Sequence, residues 1–176
     1  MKKKLLSKNE LQDQLKYFED LKTSYFLERF VMESDNIENI IEIRRHTVHQ
    51  KALYSFLQQA KLTKNDLVNF VTQIEPKSYL RTKPDDNVWI GGRQAPPPNK
   101  SLPRLETLLT NINDNNITPW EAHVEYESIH PFIDGNGRSG RAVWLWIMWH
   151  RKFYRGPYTF LQMFYYQTLQ KYAGKD

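Results

Sequence analysis

Apolar positions along most of the chain fall three and four residues apart, the spacing of helices with one buried face. From Asn9 to about Met32 they are Leu11, Leu15, Phe18, Leu21, Tyr25 and Val31. The polar run Glu33-Ser34-Asp35-Asn36 favours caps and turns and predicts a break there. A second helical pattern uses Ile37, Ile40, Ile41, Val48, Leu53, Phe56 and Leu57. A third, capped by Thr63 and closed near Pro76, uses Leu67, Phe70, Val71 and Ile74. Helix returns from about residue 102 to 109, before a polar connector at 111–116. Thr118-Pro119-Trp120-Glu121 is a helix start, with a Thr cap, Pro at the first helical position and Glu three after the cap. That helix should end at Ile129 or His130, because Pro131 follows. The next begins near Asn136. Its middle, Ala142 to Trp149, has no polar face and predicts a helix buried on all sides. A last helix is expected from just after Gly156-Pro157 to about Tyr172.

The middle of the chain breaks this rhythm. Pro84, Gly91, Gly92, Pro96, Pro97 and Pro98 exclude helix over residues 82–100. Val88-Trp89-Ile90 is a short β-favouring run before Gly91-Gly92, which suits a small hairpin or an ordinary long loop. The expected fold class is therefore all-α, with at most one small β-element.

Length and composition narrow the class further. The chain has 176 residues, 40% hydrophobic and 14% aromatic, enough for one domain with a real core. It has no cysteine, which excludes disulfides, thiol nucleophiles and thiolate zinc sites and fits a reducing compartment. The net charge of +5 owes much to Lys2-Lys3-Lys4 at the start. Charge alone is weak ground for nucleic-acid binding. No apolar stretch has signal-peptide or membrane-spanning length. The expectation is a soluble cytoplasmic protein with no membrane partner.

The densest chemistry lies in His130-Pro-Phe-Ile-Asp-Gly-Asn-Gly-Arg-Ser-Gly-Arg141, between two predicted helices. His130 titrates near neutrality and can act as a general base. Asp134 is a hard oxygen ligand of the kind Mg²⁺ prefers, and one carboxylate suffices when phosphates supply further ligands. Gly135-Asn136-Gly137 can turn backbone N–H groups inward as an anion nest, reinforced by the dipole of the following helix. Arg138 and Arg141, three apart, offer planar forks for phosphate oxygens. Singly, these residues read as a turn, a helix cap and a solvated face. Together they describe a triphosphate site, and it is not a P-loop, because no Gly-x-x-x-x-Gly-Lys-Ser/Thr is present.

This segment resembles the signature of the Fic (filamentation induced by cAMP) family, His-x-Phe-x-(Asp/Glu)-Gly-Asn-Gly-Arg-x-x-Arg, at every defined position. Upstream, Glu121-Ala122-His123 to Ile129 is similar to the helix preceding that signature. Val88-Trp89-Ile90-Gly91-Gly92 through Pro96-Pro97 is similar to the family's flap. The resemblance implies a Fic-type helical bundle with a small β-hairpin flap, and transfer of AMP from ATP to a Ser, Thr or Tyr hydroxyl of a protein, the chain itself included. It implies that His130 takes the hydroxyl proton and Asp134 binds Mg²⁺. Gly135, Asn136 and Gly137 would form the anion hole, Arg138 and Arg141 would hold phosphates, Phe132 would anchor the loop in the core, and residues 88–92 would align the target. Ser34-x-x-x-Glu38-Asn39 also matches a family pattern, (Ser/Thr)-x-x-x-Glu-(Gly/Asn), in which the Glu pairs with the second signature Arg as a class II-like inhibitory motif. Here that pair would be Glu38 with Arg141. The residues alone also read as a helix-start box, with Asp35 as cap and Glu38 three later.

The resulting division is an N-terminal helix at 1–33, an inhibitory helix region at 34–60, and a Fic core at 61–176. The core would carry the flap at about 85–98 and the signature loop at 130–141. Removal of AMP, transfer of another phosphate-containing group, and a non-catalytic nucleotide- or protein-binding module are the competing readings, and homo-oligomerisation is left open. His46-x-x-His49 is read as a partly exposed helix face, His123 as core support, and the Trp and Tyr residues from Trp144 to Tyr166 as packing.

Overall fold

The computed structural model describes residues 24–151. Helix α1 occupies residues 24–37 of these, followed by α2 (Ile43–Leu57) and α3 (Lys64–Ile74). A hairpin, β1 (Trp89–Ile90) and β2 (Arg93–Gln94), precedes α4 (Pro98–Asn113), α5 (Pro119–Ile129) and α6 (Asn136–His150). Among the described residues the fold is all-α apart from this two-stranded antiparallel sheet, in which Trp89 pairs with Gln94 and Ile90 with Arg93. The tight reversal is possible because Gly91 adopts a positive φ of 56°, which costs a glycine little. The expected last helix and the start of the first lie outside the described residues.

Helix α6 is the centre of the bundle. Ala142, Val143, Leu145, Trp146, Ile147 and Met148 are buried, as its unbroken apolar run predicts, and Trp144 and Trp149 are partly covered. It packs most closely on α5 and also touches α2 and α3, while α4 covers α5. Gly140 permits the close approach to α5. A Cβ there would collide with Glu127 and lie 3.1 Å from the Tyr126 ring. The helix starts hold as read: Thr63 and Thr118 both make capping boxes, with Asp66 and Glu121 as the reciprocal partners.

Four expectations change. The first helix does not break at Glu33–Asn36. It runs through residue 37, and the chain turns only at Asn39, whose φ is +58°. Asp35 therefore sits inside the last turn of α1 rather than capping a new helix, so the division at 33/34 falls within a helix. Tyr25, Ile41 and Val48 are exposed. The buried stripe is carried by Phe26, Leu27, Phe30 and Val31 on α1, and by His49, Ala52, Leu53, Phe56 and Leu57 on α2. His49 is buried, not a partly exposed face, because Asp35 supplies its polar partner. Finally, α4 begins at Pro98 and ends at Asn113, longer than its apolar repeat suggests. Pro98 needs no N–H at the first helical position, and the Asn113 side chain is fixed by the Leu62 backbone.

Thr118→Ala removes an N-cap and half of a capping box. Urea denaturation should show a loss of about 1 kcal/mol with unchanged m-value.

Candidate functional site

The signature loop is built where α5 ends and α6 begins. His130 closes α5 in the left-handed region, φ 50°, with its amide bonded to Tyr126 O. Gly135, φ 80°, is the N-cap of α6, so the first amides of that helix face outward without intrahelical acceptors. Between them Phe132 is fully buried in the core. The Asn136 side chain closes the loop on itself: Nδ2 donates to Phe132 O at 2.8 Å and Oδ1 accepts from Phe132 N at 2.9 Å. Asn136 thus offers the cavity its backbone, while its side chain braces the turn.

A segment that carried no helical or strand pattern supports this loop from outside. Leu80 bridges to Phe132, Arg81 N donates to Pro131 O, and Ile133 N donates to Tyr79 O. Ser78 Oγ donates to Asp134 O and accepts from Asp134 N. Arg81 has no exposed surface, and its guanidinium donates to three carbonyls, those of His130 (2.7 Å), Asp86 (2.8 Å) and Pro96 (2.8 Å). One side chain therefore ties the base of the hairpin to the backbone of the signature loop. Asp86 in turn accepts the amides of Thr82 and Lys83 and the Tyr79 hydroxyl, which holds its carboxyl below the usual range.

Loop and hairpin border one cavity of about 1040 Å³. His130, Asp134, Gly135, Asn136, Gly137 and Arg138 line it together with Trp89–Arg93, Glu38, Arg45 and Glu75. Burial pushes the His130 imidazole below its ordinary pKa, against the pull of nearby acidic groups, so the ring is neutral near pH 7. Its Nδ1 lies 3.3 Å from Glu127 O. A carbonyl only accepts, so Nδ1 carries the proton and Nε2 keeps its lone pair.

Both signature arginines are occupied by carboxylates. Arg138 Nη2 meets Glu75 Oε1 at 2.5 Å, and the same oxygen also takes the Arg45 guanidinium. Arg141, wholly buried, donates from Nε to Ser34 Oγ at 2.9 Å and from Nη2 to Ser34 O at 2.9 Å and Glu38 Oε1 at 2.7 Å. The Glu38 carboxylate also lies against the loop: a Cβ built on Gly137 would collide with it. A carboxylate thus stands beside an amide that the sequence assigned to an anion. Asn39, grouped with Ser34 and Glu38 by sequence, is exposed and supplies the left-handed turn instead. Burial drives His123, beneath Gly140, down to about 3, which keeps it neutral near Arg141.

Asp134 is exposed at the cavity, with Oδ1 accepting the Gly135 amide at 2.6 Å. Among the described residues no three His, Cys, Asp or Glu side chains form a metal cluster. One exposed carboxylate at the cavity is a donor that suits a cation whose other ligands come from a substrate. Among the described residues no helix is long and apolar enough to cross a membrane.

Sequence reasoning missed Glu75, Arg45, Arg81 and Ser78. Each acts across a long stretch of chain, Glu75 on Arg138 and Ser78 on Asp134 above all, and no local periodicity marks such pairs.

A helical bundle with a His-headed, glycine-rich loop at the start of its central helix, overhung by a hairpin, is the class that fold and site define. Residues 62–148 match the Fic/DOC family model, and the chain belongs to that family. It is 32% identical over 103 residues to a protein adenylyltransferase Fic from Drosophila grimshawi, covering 51% of this chain and 20% of that protein. It is 36% identical over 74 residues to a probable protein adenylyltransferase from Aquifex aeolicus, covering 39% of this chain and 22% of that one. The chain thus spans about a fifth of the length of these relatives. The fold is similar to that of a Fic domain containing signaling protein from Bacteroides thetaiotaomicron, with TM-score 0.68, 20% identity, and coverage of 86% of this chain and 73% of that one. A Fic family protein from Desulfovibrio desulfuricans aligns with TM-score 0.55 and 21% identity, over 76% of this chain and 50% of that one.

Arg81→Met keeps the length of the side chain and removes its donors. Three buried or half-buried carbonyls lose a charged donor, so unfolding should become easier by roughly 3 kcal/mol. Protease cleavage within residues 85–98 should also become faster than in the wild type.

Proposed function

We propose that this domain transfers AMP from ATP to a protein hydroxyl and is inhibited by its own Glu38. The observation that carries the reading is convergence. A neutral imidazole, the amide-rich start of α6, Arg138 and one exposed carboxylate all border one cavity beneath a hairpin, with Arg141 on the same first turns of α6. The names of the curated relatives point to the same reaction.

In this reading the triphosphate lies over the amides of Gly135 to Arg138, with Arg138 and Arg141 as its guanidinium partners. Asp134 would hold Mg²⁺, which would supply positive charge against the charge that builds on the departing pyrophosphate. His130 Nε2 takes the proton of the incoming hydroxyl. The hydroxyl oxygen bonds to the α-phosphorus, the bond to the bridging oxygen breaks, and pyrophosphate leaves with the electron pair. Positioning and charge stabilisation supply most of the acceleration, as in phosphoryl transfer generally. The exposed Trp89 edge of the hairpin receives the target segment by strand addition.

Glu38 opposes this chemistry electrostatically. One guanidinium cannot serve a carboxylate at 2.7 Å and a γ-phosphate together. The Glu38 carboxylate also occupies space against Gly137. ATP bound beside it therefore meets the loop in an unproductive pose.

Purified wild type, Glu38→Gly and Glu38→Gly/His130→Ala are incubated with Mg²⁺ and α-labelled ATP, alone and with a cell lysate. Label on protein should rise at least about tenfold in Glu38→Gly, the value of a charge-assisted contact. It should fall by roughly 10²-fold or more when His130 is also lost. Equal labelling of wild type and Glu38→Gly contradicts the inhibition. Label that survives loss of His130 contradicts the transfer mechanism.

The same assay has a pH signature. A base works only when unprotonated, and burial holds the His130 pKa below the ordinary value of 6.5. The acidic limb of kcat/KM for Glu38→Gly should therefore lie below pH 6.5, with activity retained as pH falls through that value. A limb above 6.5 contradicts the assignment of His130.

A further inference from the structure

The turn that carries Glu38 is held by a group that the reaction does not use. Asp35 has no exposed surface, and its carboxylate lies between two imidazoles of α2. Oδ2 meets His46 Nδ1 at 2.7 Å, and Oδ1 meets His49 Nδ1 at 2.8 Å. Burial opposes ionisation of Asp35, but the hydrogen bonds from His49 and His46, with the charge of Arg138, hold its carboxyl below the usual range. Burial also keeps His49 neutral, facing Asp35, Arg138 and Arg141. Each ring donates from Nδ1 to one oxygen of the ionised carboxylate, which accounts for both short contacts. The His49 ring is itself wedged edge-on against Phe70 of α3, 5.7 Å between centroids.

Asp35 reaches the inhibitory pair from both directions. Ser34, one residue earlier, bonds Arg141 through its hydroxyl and its carbonyl. The Asp35 carbonyl accepts the amides of Glu38 at 3.0 Å and Ile40 at 2.9 Å, which fixes where the Glu38 side chain emerges. Glu38 itself is 30% exposed at the cavity, so water and phosphate can compete for its bond to Arg141. A buried carboxylate is costly to place, and an apolar residue in the same space is often no less stable. What Asp35 adds is register between α1 and α2. The neighbouring Arg45 grips Glu75, which in turn holds Arg138. Residues 45, 46 and 49 of one helix therefore bear on both signature arginines.

We propose that Asp35, clasped by His46 and His49, is the positioning residue that keeps Glu38 on Arg141, and that α2 is the element through which inhibition is relieved. This rests on Glu38 acting as the inhibitory carboxylate. A ligand or partner that shifts α2 would loosen Glu38 and Glu75 together and free both guanidiniums.

The test compares Asp35→Asn and His46→Ala, each alone and combined with Glu38→Gly. The readouts are AMP transfer to protein and hydrogen–deuterium exchange over residues 34–42. Each single variant should raise transfer severalfold and speed exchange in that segment, while adding nothing once Glu38 is gone. A role in folding alone would lower transfer in both backgrounds, and that result overturns the proposal. Wild-type transfer and exchange in both single variants, beside an active Glu38→Gly, overturn it while leaving the inhibitory reading intact. A gain that persists in the Glu38→Gly background places the effect elsewhere and also overturns it. If Glu38→Gly is no more active than wild type, the inhibitory reading fails and this inference fails with it.

Discussion

Arg141 carries a permanent positive charge into a site with no exposed surface, on the helix that forms the centre of the bundle. A charge so placed must be met by partners that water would otherwise supply. Ser34 and Glu38 meet it from the end of α1, across more than a hundred residues of chain. The approach of α1 to α6, the turn at Asn39 and the start of α2 are all arranged around that contact. The Glu38 carboxylate also opens onto the cavity, so in the proposed mechanism the group that pairs with Arg141 in the folded state is the group that a phosphate would displace.

The same arrangement recurs around the site in a second copy. Arg138 is met by Glu75, and Glu75 is shared with Arg45. Asp35 lies between His46 and His49. Three guanidiniums (Arg45, Arg138, Arg141) thus stand near three carboxylates (Asp35, Glu38, Glu75), and the formal charges of the six balance. Displacing one carboxylate leaves an excess of positive charge beside the amides that start α6. That is an electrostatic condition suited to a polyanion. Rigid support comes from elsewhere: Arg81 ties flap base to loop, Ser78 ties loop to the segment after α3, and Asn136 closes the loop on Phe132.

Much of this was legible in the sequence, for reasons of locality. The caps at Thr63 and Thr118 depend on neighbours within four residues and read correctly, although the reciprocal bond from the Thr63 amide to Asp66 was not foreseen. The apolar run of α6 announced a central helix, and the twelve-residue signature ran from the end of one helix at His130 to Arg138 and Arg141 on the first turns of the next. The failures were failures of range. Glu33 to Asn36 looked like a break because polar residues dominate it, yet Ser34 and Asp35 are polar in order to meet Arg141 and the two histidines inside the bundle. His49 read as part of a partly exposed face because its partner lies on another helix. Glu75 sat unremarked at the end of α3, since nothing local distinguishes a carboxylate that serves Arg138 from one in solvent. The hairpin was ambiguous from its residues, and resolved only because Gly91 can take the positive φ that the turn requires.

Competition for one guanidinium is the core of this account, and nucleotide discrimination measures it directly. Binding of MgATP and MgADP by wild type and Glu38→Gly, read by calorimetry, isolates the contribution of the γ-phosphate. Wild type should bind the two nucleotides with similar affinity, because Arg141 is held by Glu38. Glu38→Gly should prefer ATP by about tenfold or more, the value of one charge-assisted contact. An unchanged ratio of ATP to ADP affinity in the two proteins would contradict the claim that Glu38 and the γ-phosphate contend for Arg141.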